Sequence, residues 1–119
     1  MSTLSTHILD ISTGKPAAGV TVRLVRDEKI IASQTTDGNG RIGEFTPAAL
    51  PPGRYRLVAE TGAWFAAGGR ETIFPCAQID FVIAGTAEAH FHLPFLIAPG
   101  GWSTYRGSCL LYTSPSPRD

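Results

Sequence analysis

The sequence predicts an all-β domain, a two-sheet sandwich of about eight strands with one short helix. Thirteen glycines and nine prolines interrupt the chain too often for long helices. The segments between them are short and rich in Val, Ile, Leu, Phe and Thr, which favour strands. Several segments alternate apolar and polar residues, as strands do when one face of a sheet is buried and the other faces water.

The predicted strands follow one another at near-regular spacing. They are expected at residues 5–10, 21–26, 30–35, 40–45, 54–60, 78–83, 90–97 and 103–107. A single helical segment is expected at 62–67, between Gly62 and the pair Gly68-Gly69, and it is long enough for one or two turns.

Side-chain alternation supports these strands individually. Val20, Val22 and Leu24 share one face of the second strand, and Tyr55 and Leu57 alternate with arginines in the fifth. The fourth strand follows the turn-forming residues 37–40, a run of Asp, Gly, Asn and Gly. The alternation in the second and fifth strands fits antiparallel sheets with one face exposed to water.

Length and charge restrict the function. A chain of 119 residues is long enough for one domain. Ten basic and ten acidic residues balance, so no field of one sign attracts nucleic acid or an anionic membrane, and neither partner is expected. No apolar run approaches a membrane span, and Cys76 and Cys109 show neither metal-site spacing nor a disulfide framework. We expect a cytoplasmic protein.

The C-terminal segment 109–119 differs from the rest of the chain. It contains Ser-Pro-Ser-Pro and no strand pattern, so we expect a disordered tail, foreign to the natural protein, after a domain that covers residues 1–108. The last residues form no peroxisomal signal of the Ser-Lys-Leu type, although a peroxisomal location stays open if the natural C-terminus is missing.

Polar residues in three separate segments are the candidates for chemistry. His90 and His92 lie two apart on a predicted strand and therefore leave the same face, and His7 shares a face with Ser5 in the first strand. Arg41 follows the turn at 37–40. Each of these residues alone is explained by a structural role, and only their convergence predicts a site.

The combination favours metal-free hydrolysis over two other kinds of site. Zinc usually takes three or four ligands, and His7 is the only histidine besides His90 and His92, so no metal is predicted. A serine nucleophile would need a Gly-x-Ser-x-Gly elbow, which is absent. Imidazoles, the guanidinium of Arg41 and the hydroxyl of Ser108 can activate water and polarise a carbonyl, which is typical of a hydrolase acting on a small polar heterocycle.

The same segments resemble the transthyretin-like family, and specifically its hydrolase branch. The resemblance covers residues 4–108, and Tyr105-Arg106-Gly107-Ser108 separates the hydrolases from the hormone carriers. The segments that carry it are LSTHILD at 4–10, TDGNGR at 36–41, PGRY at 52–55, HFHLP at 90–94 and STYRGS at 103–108.

The resemblance implies a transthyretin-like sandwich assembled as a homotetramer, with active sites in the channel between dimers. It implies metal-free and cofactor-free hydrolysis of 5-hydroxyisourate, a small-molecule substrate. By position, His7, Arg41, His92 and Ser108 would be catalytic. His7, Arg41 and Tyr105 would bind the substrate, and His90 would match a less critical histidine. Which histidine acts as the general base stays open.

Two alternatives to the hydrolase use the same fold. A transthyretin-like carrier would bind a small aromatic ligand without turnover, but an apolar channel does not need polar groups such as His7 and His92, whose burial costs free energy unless they are paired. A generic adhesion or accessory domain would need none of the candidate residues.

Overall fold

The computed structural model describes residues 2–46, 48–85 and 90–107, and it is formed mostly of strands. Two sheets and one helix make up the described chain, as predicted. The strands are β1 (Thr3–Asp10), β2 (Lys15–Pro16), β3 (Thr21–Arg26), β4 (Lys29–Thr35), β5 (Arg41–Ile42), β6 (Gly53–Ala59), β7 (Ala77–Ile83), β8 (His90–His92), β9 (Phe95–Ala98) and β10 (Gly101–Thr104), and the helix is α1 (Thr61–Ala67).

The smaller sheet has the strand order β4-β3-β6-β7 and is antiparallel throughout. Val22 and Leu24 of β3 are fully buried, as are Leu57 and Ala59 of β6. The intervening side chains on these strands are more exposed, so the alternation seen in the sequence is that of a sheet with one buried face.

The larger sheet is built around β1. Along one edge of β1, β8 and then β9 pair with it in parallel, and β10 pairs antiparallel with β9. Along the other edge, β5 and β2 pair with it antiparallel. The strand β1 is therefore the element that brings the beginning, the middle and the end of the chain together.

The core lies between the two sheets. Its largest fully buried side chains are Phe45, Phe65 and Phe95. Phe65 comes from α1, whose Trp64 also donates a hydrogen bond to the Ala18 carbonyl at 2.7 Å, so the helix is fastened to the loop before β3. Within the described residues, no helix is long and apolar enough to cross a membrane.

The predicted strand at 90–97 is interrupted, and Pro94 supplies the reason. Proline has no backbone N–H for the ladder, and β8 ends before it while β9 begins after it. The pairing with β1 nevertheless keeps one register, because Ser5 lies opposite His92 and Ile8 opposite Phe95. At the interruption, hydroxyl groups donate to the carbonyls: Thr6 to Leu93 at 2.6 Å and Thr104 to Pro94 at 2.7 Å.

Other predicted bounds need smaller corrections. The strand expected at 40–45 is only Arg41–Ile42. Beyond it, the Phe45 N–H donates to the Leu4 carbonyl of β1 at 3.0 Å, and the carbonyls of Glu44 and Phe45 accept from the Gln34 side chain. The last strand is Gly101–Thr104 and not 103–107, and the short β2 was not predicted. The predicted tail at 109–119 lies outside the described residues.

A buried ion pair fixes the end of β1. The Asp10 side chain is 2% exposed and accepts hydrogen bonds from Ser12 and from the guanidinium of Arg70. Burial would raise the pKa of the Asp10 carboxyl, but the hydrogen bonds from Ser12 and Arg70 outweigh it, so this pKa lies below its ordinary value. The same guanidinium stacks over the Phe65 ring at 4.8 Å, which links β1 to the helix.

Candidate active site

The candidate site is one face of β1. Leu4 and Ile8 point into the core and are almost completely buried. Because side chains alternate along a strand, Thr3, Ser5 and His7 leave the opposite, outer face. Ser5 and His7 are nevertheless only 7% exposed, so neighbouring side chains pack closely around these two residues.

Arg41 reaches this face from one side. In the pairing of β5 with β1, its Cα lies directly opposite that of His7, and residues directly opposite in a sheet point to the same side. Arg41 lies at the start of a strand after a turn, as predicted, and that turn brings it next to His7.

The turn before Arg41 is tied both to itself and to β1. The carboxylate of Asp37 accepts backbone N–H groups from Asn39 and Arg41, each at 2.9 Å. The Gly40 N–H donates to the Asp37 carbonyl at 2.9 Å, and the Gly40 carbonyl accepts from the Ile8 N–H at 2.7 Å. Gly40 has φ of 76°, a conformation that glycine adopts most readily. These bonds set where Arg41 enters the sheet.

Asp37 is a site-adjacent carboxylate that the sequence analysis treated only as a turn residue. The backbone N–H groups of Arg41 and Asn39, and after them the electrostatic effect of Arg41 and His7, hold the pKa of the Asp37 carboxyl below its ordinary value. A negative charge therefore lies within electrostatic range of both His7 and Arg41. The turn motif at 37–40 was the available signal, because Asp at such a position accepts backbone N–H groups nearby.

The two histidines of β8 reach the same face from the other side of β1. In the parallel pairing, His90 lies opposite Thr3 and His92 opposite Ser5. The Ser5 hydroxyl is 2.7 Å from Nδ1 of His92 and 2.8 Å from Nε2 of His90, and the Thr3 hydroxyl is 2.6 Å from Nδ1 of His90. His92 is 9% exposed, and His90 is half-buried.

The hydroxyls of Thr3 and Ser5 were not predicted to take part in the site. Their position on the face of His7 was readable from the alternation of β1, but their contacts with His90 and His92 depend on pairing between strands more than 80 residues apart in the chain. Local sequence carries no signal for that register.

Residues 104–107 run beside β8 and β9. Thr104 lies opposite Phe95, and the Gly107 N–H donates to the His92 carbonyl at 2.7 Å. Tyr105, between Thr104 and Gly107 in the chain, is half-buried. The guanidinium of Arg106 stacks over the Phe91 ring, 4.6 Å from its centroid. The predicted catalytic Ser108 is outside the described residues and directly follows Gly107.

The arrangement is suited to acid–base chemistry on a polar ligand. His7, Arg41 and His92 share one sheet face, and three ring nitrogens of His90 and His92 contact hydroxyls. Across residues 2–46, 48–85 and 90–107, no group of three His, Cys, Asp or Glu side chains has the geometry of a metal site. Imidazoles beside a guanidinium can transfer a proton and stabilise a developing oxyanion on the same ligand.

Known proteins of similar sequence and structure include both 5-hydroxyisourate hydrolases and transthyretins. The 5-hydroxyisourate hydrolase of Salmonella dublin is 44% identical over 110 residues, which cover 88% of this chain and 80% of that protein. The structure of Klebsiella pneumoniae 5-hydroxyisourate hydrolase is 68% identical, with a TM-score of 0.85, and it covers 91% of this chain and 100% of that one. Transthyretin from Sparus aurata is 28% identical, with a TM-score of 0.77, over 87% of this chain and 94% of its own.

A family model gives the same assignment and confirms the resemblance found in the sequence. It is described as the HIUase/Transthyretin family, and it matches residues 4–107. The match includes every described residue of the site face except Thr3. With nearly the whole chain matched and relatives well above 30% identical, the chain belongs to the HIUase/Transthyretin family.

Proposed function

We propose that this protein hydrolyses 5-hydroxyisourate to 2-oxo-4-hydroxy-4-carboxy-5-ureidoimidazoline, a step of urate breakdown. The observation that carries the proposal is the strand register, which brings Arg41 from one edge of β1, and His92 from the other, onto the face of β1 that carries His7. The likeness to hydroxyisourate hydrolases at 44% and 68% identity supports the substrate.

The proposed reaction needs only protein groups and water. An imidazole takes a proton from water, the water oxygen bonds to a ring carbonyl carbon, and the carbon–nitrogen bond of the ring then breaks as the nitrogen gains a proton. His7 and His92 are the proposed proton-transfer groups. Arg41 binds the substrate and stabilises the negative charge that develops on the carbonyl oxygen.

The C-terminal motif supplies the remaining proposed contacts. Tyr105 is proposed to help hold the substrate, and Ser108 to supply a hydroxyl to it. The bond from the Gly107 N–H to the His92 carbonyl supports both assignments, because it holds this part of the motif beside β8.

The carrier alternative is disfavoured by the same face. A transthyretin-like carrier would need an apolar surface for an aromatic ligand, whereas here charged and hydrogen-bonding side chains occupy the outer face of β1. The similarity to transthyretin, at 28% identity, is also much weaker than the similarity to the hydrolase structure.

We also propose a homotetramer with its sites in the channel between dimers. The outward position of the site supports this assembly, because a second subunit facing the outer side of β1 would enclose a substrate there. Sedimentation equilibrium checks it, and a monomer at assay concentrations would contradict it. A cytoplasmic location stays a prediction from the sequence, to be tested by cell fractionation.

The decisive experiment follows the decay of freshly generated 5-hydroxyisourate by ultraviolet absorbance. We expect the protein to accelerate the decay, His92→Ala to lower kcat/KM by roughly 100- to 10,000-fold, and Arg41→Ala to lower it by roughly 100- to 1,000-fold.

Arg56→Ala is the matched control for Arg41→Ala. Arg56 is an exposed arginine of the other sheet that pairs with Asp80 at 2.8 Å, so its removal should leave turnover unchanged. No acceleration by the folded wild-type protein would refute the hydrolase and favour the carrier.

A further inference from the structure

A continuous chain of hydrogen-bonding groups runs from the exposed Thr3, at the start of β1, to His92 in the site. Each contact joins a hydroxyl of β1 to a ring nitrogen of β8, at distances of 2.6 to 2.8 Å. The four side chains in order are Thr3, His90, Ser5 and His92.

The middle hydroxyl couples the two rings because it carries only one proton. Ser5 contacts Nδ1 of His92 and Nε2 of His90 at once. A hydroxyl can donate one hydrogen bond and accept two, so at most one ring can receive the Ser5 proton. When Ser5 donates to one ring, the other ring donates an N–H to the Ser5 oxygen. While both rings are neutral and Ser5 donates to one of them, the tautomer of His92 is therefore tied to that of His90.

Only one of the two coupled arrangements leaves His92 able to act as a base through its second nitrogen. In that arrangement Nδ1–H of His92 donates to Ser5, Ser5 donates to Nε2 of His90, and Nδ1–H of His90 donates to Thr3. Nε2 of His92 then has a lone pair. In the other arrangement Nε2 carries the proton and has no lone pair with which to take a proton from water.

We propose that Ser5 is a positioning residue that sets the tautomer of His92 and passes its proton on to His90. This inference rests on the proposed hydrolysis. When Nε2 of His92 takes a proton from water, Nδ1 releases its proton to the Ser5 oxygen, and the original Ser5 proton moves to Nε2 of His90. One O–H bond of water is broken, two protons shift by one place each, and the positive charge ends on His90.

The different exposure of the two rings favours movement of the positive charge from His92 to His90. His92 is 9% exposed, His90 is half-buried and Thr3 is exposed. A positive charge is less costly where water reaches it, so moving the charge from His92 to His90 stabilises the step that follows proton uptake. The chain also fixes the orientation of the His92 ring, as hydrogen-bonded partners behind a working histidine do.

Three variants separate this role from a purely structural one. Ser5→Ala removes the coupling hydroxyl, and Ser5→Thr keeps it. Thr6→Val is the matched control, since it removes a buried hydroxyl of the same strand that faces the core and donates to the Leu93 carbonyl. We expect Ser5→Ala to lower kcat by roughly 10- to 100-fold with little change in KM, and Ser5→Thr to restore it. Thr6→Val should keep the wild-type kcat.

The tautomers themselves are read from the ¹⁵N chemical shifts of labelled histidine in the same proteins and in His90→Phe. We expect one dominant tautomer for His92 in the wild type and in Ser5→Thr, and a mixture in Ser5→Ala and His90→Phe. Wild-type tautomers in both of the latter variants would overturn the proposal, as would a folded Ser5→Thr with the kcat of Ser5→Ala.

Because the shifts require no turnover, they separate the two proposals. If the wild-type protein failed to accelerate 5-hydroxyisourate decay, the hydrolase function would fall, and the shifts would still decide whether Ser5 couples the rings.

Discussion

Replacing Gly40 with alanine tests whether the turn before β5 places Arg41 in the site. Gly40 lies directly before Arg41 and against β1, where its carbonyl accepts from the Ile8 N–H at 2.7 Å. A Cβ atom at this position would lie 2.6 Å from the Ile8 carbonyl oxygen and 3.2 Å from the Ala17 nitrogen. Both of these neighbours are backbone atoms, so they cannot move aside as the end of a flexible side chain would.

Two effects add to the cost of Gly40→Ala. Alanine at the Gly40 φ of 76° costs about 1 to 2 kcal/mol. Relieving the contact with the Ile8 oxygen requires a backbone shift that costs about 1 to 3 kcal/mol more. The expected loss in the free energy of unfolding is therefore about 2 to 5 kcal/mol. A shift of the turn by about 1 Å would also displace Arg41 from His7 and lower kcat/KM by roughly 100-fold.

Gly38→Ala is the matched control in the same turn. A Cβ at Gly38 would meet nothing within 4 Å, so the free energy of unfolding should change by less than about 1 kcal/mol. Denaturant unfolding at one fixed protein concentration and the 5-hydroxyisourate decay assay measure the two effects. If Gly40→Ala matched Gly38→Ala in both measurements, the turn would not position Arg41 and the reasoning would be refuted.

Three further predictions test the site and the fold. Arg41→Lys should lower kcat/KM at least tenfold in the decay assay, because an ammonium cannot replace a planar pair of donors, and wild-type turnover would show that charge alone suffices. Because the pKa of Asp10 is lowered on folding, its contribution to stability is present above the unfolded value, near pH 4, and is lost as pH falls through the folded value. The stability advantage of the wild type over Asp10→Asn, measured by denaturant unfolding, should thus shrink below about pH 4, and a constant difference would exclude this linkage. A chain ending at Ser108 should turn over substrate faster than one that includes 109–119, because the Gly107 N–H is bonded to His92 of the site; equal rates would contradict this prediction.

Elements with strong local patterns were predicted well. β3 has the predicted bounds, and β6, β7 and α1 differ from the prediction by a single residue at one or both ends. Two of the errors fall where side chains bond to backbone carbonyls, at Pro94 and at the carbonyls bonded by Gln34. Pro94 is a local signal for the first interruption. The bonds from Gln34 come from a distant strand and leave no periodic signal in the sequence, so the second was not predictable from local pattern.

The sequence by itself determined the fold class, the alternation that places Ser5 with His7, and the turn chemistry of Asp37. The family motifs also identified the candidate residues. These features depend on strand and turn propensities that act over a few residues.

Only the tertiary structure decided how these residues meet. The register of β1 with β8 places Ser5 between two imidazoles, and the register with β5 places His7 beside Arg41. Such registers are set by burying one face of each strand in a shared core, and a slip of one residue would turn every side chain to the other face. The chemistry of the candidate site therefore depends on the packing of Leu4 and Ile8 on the opposite side of the same strand.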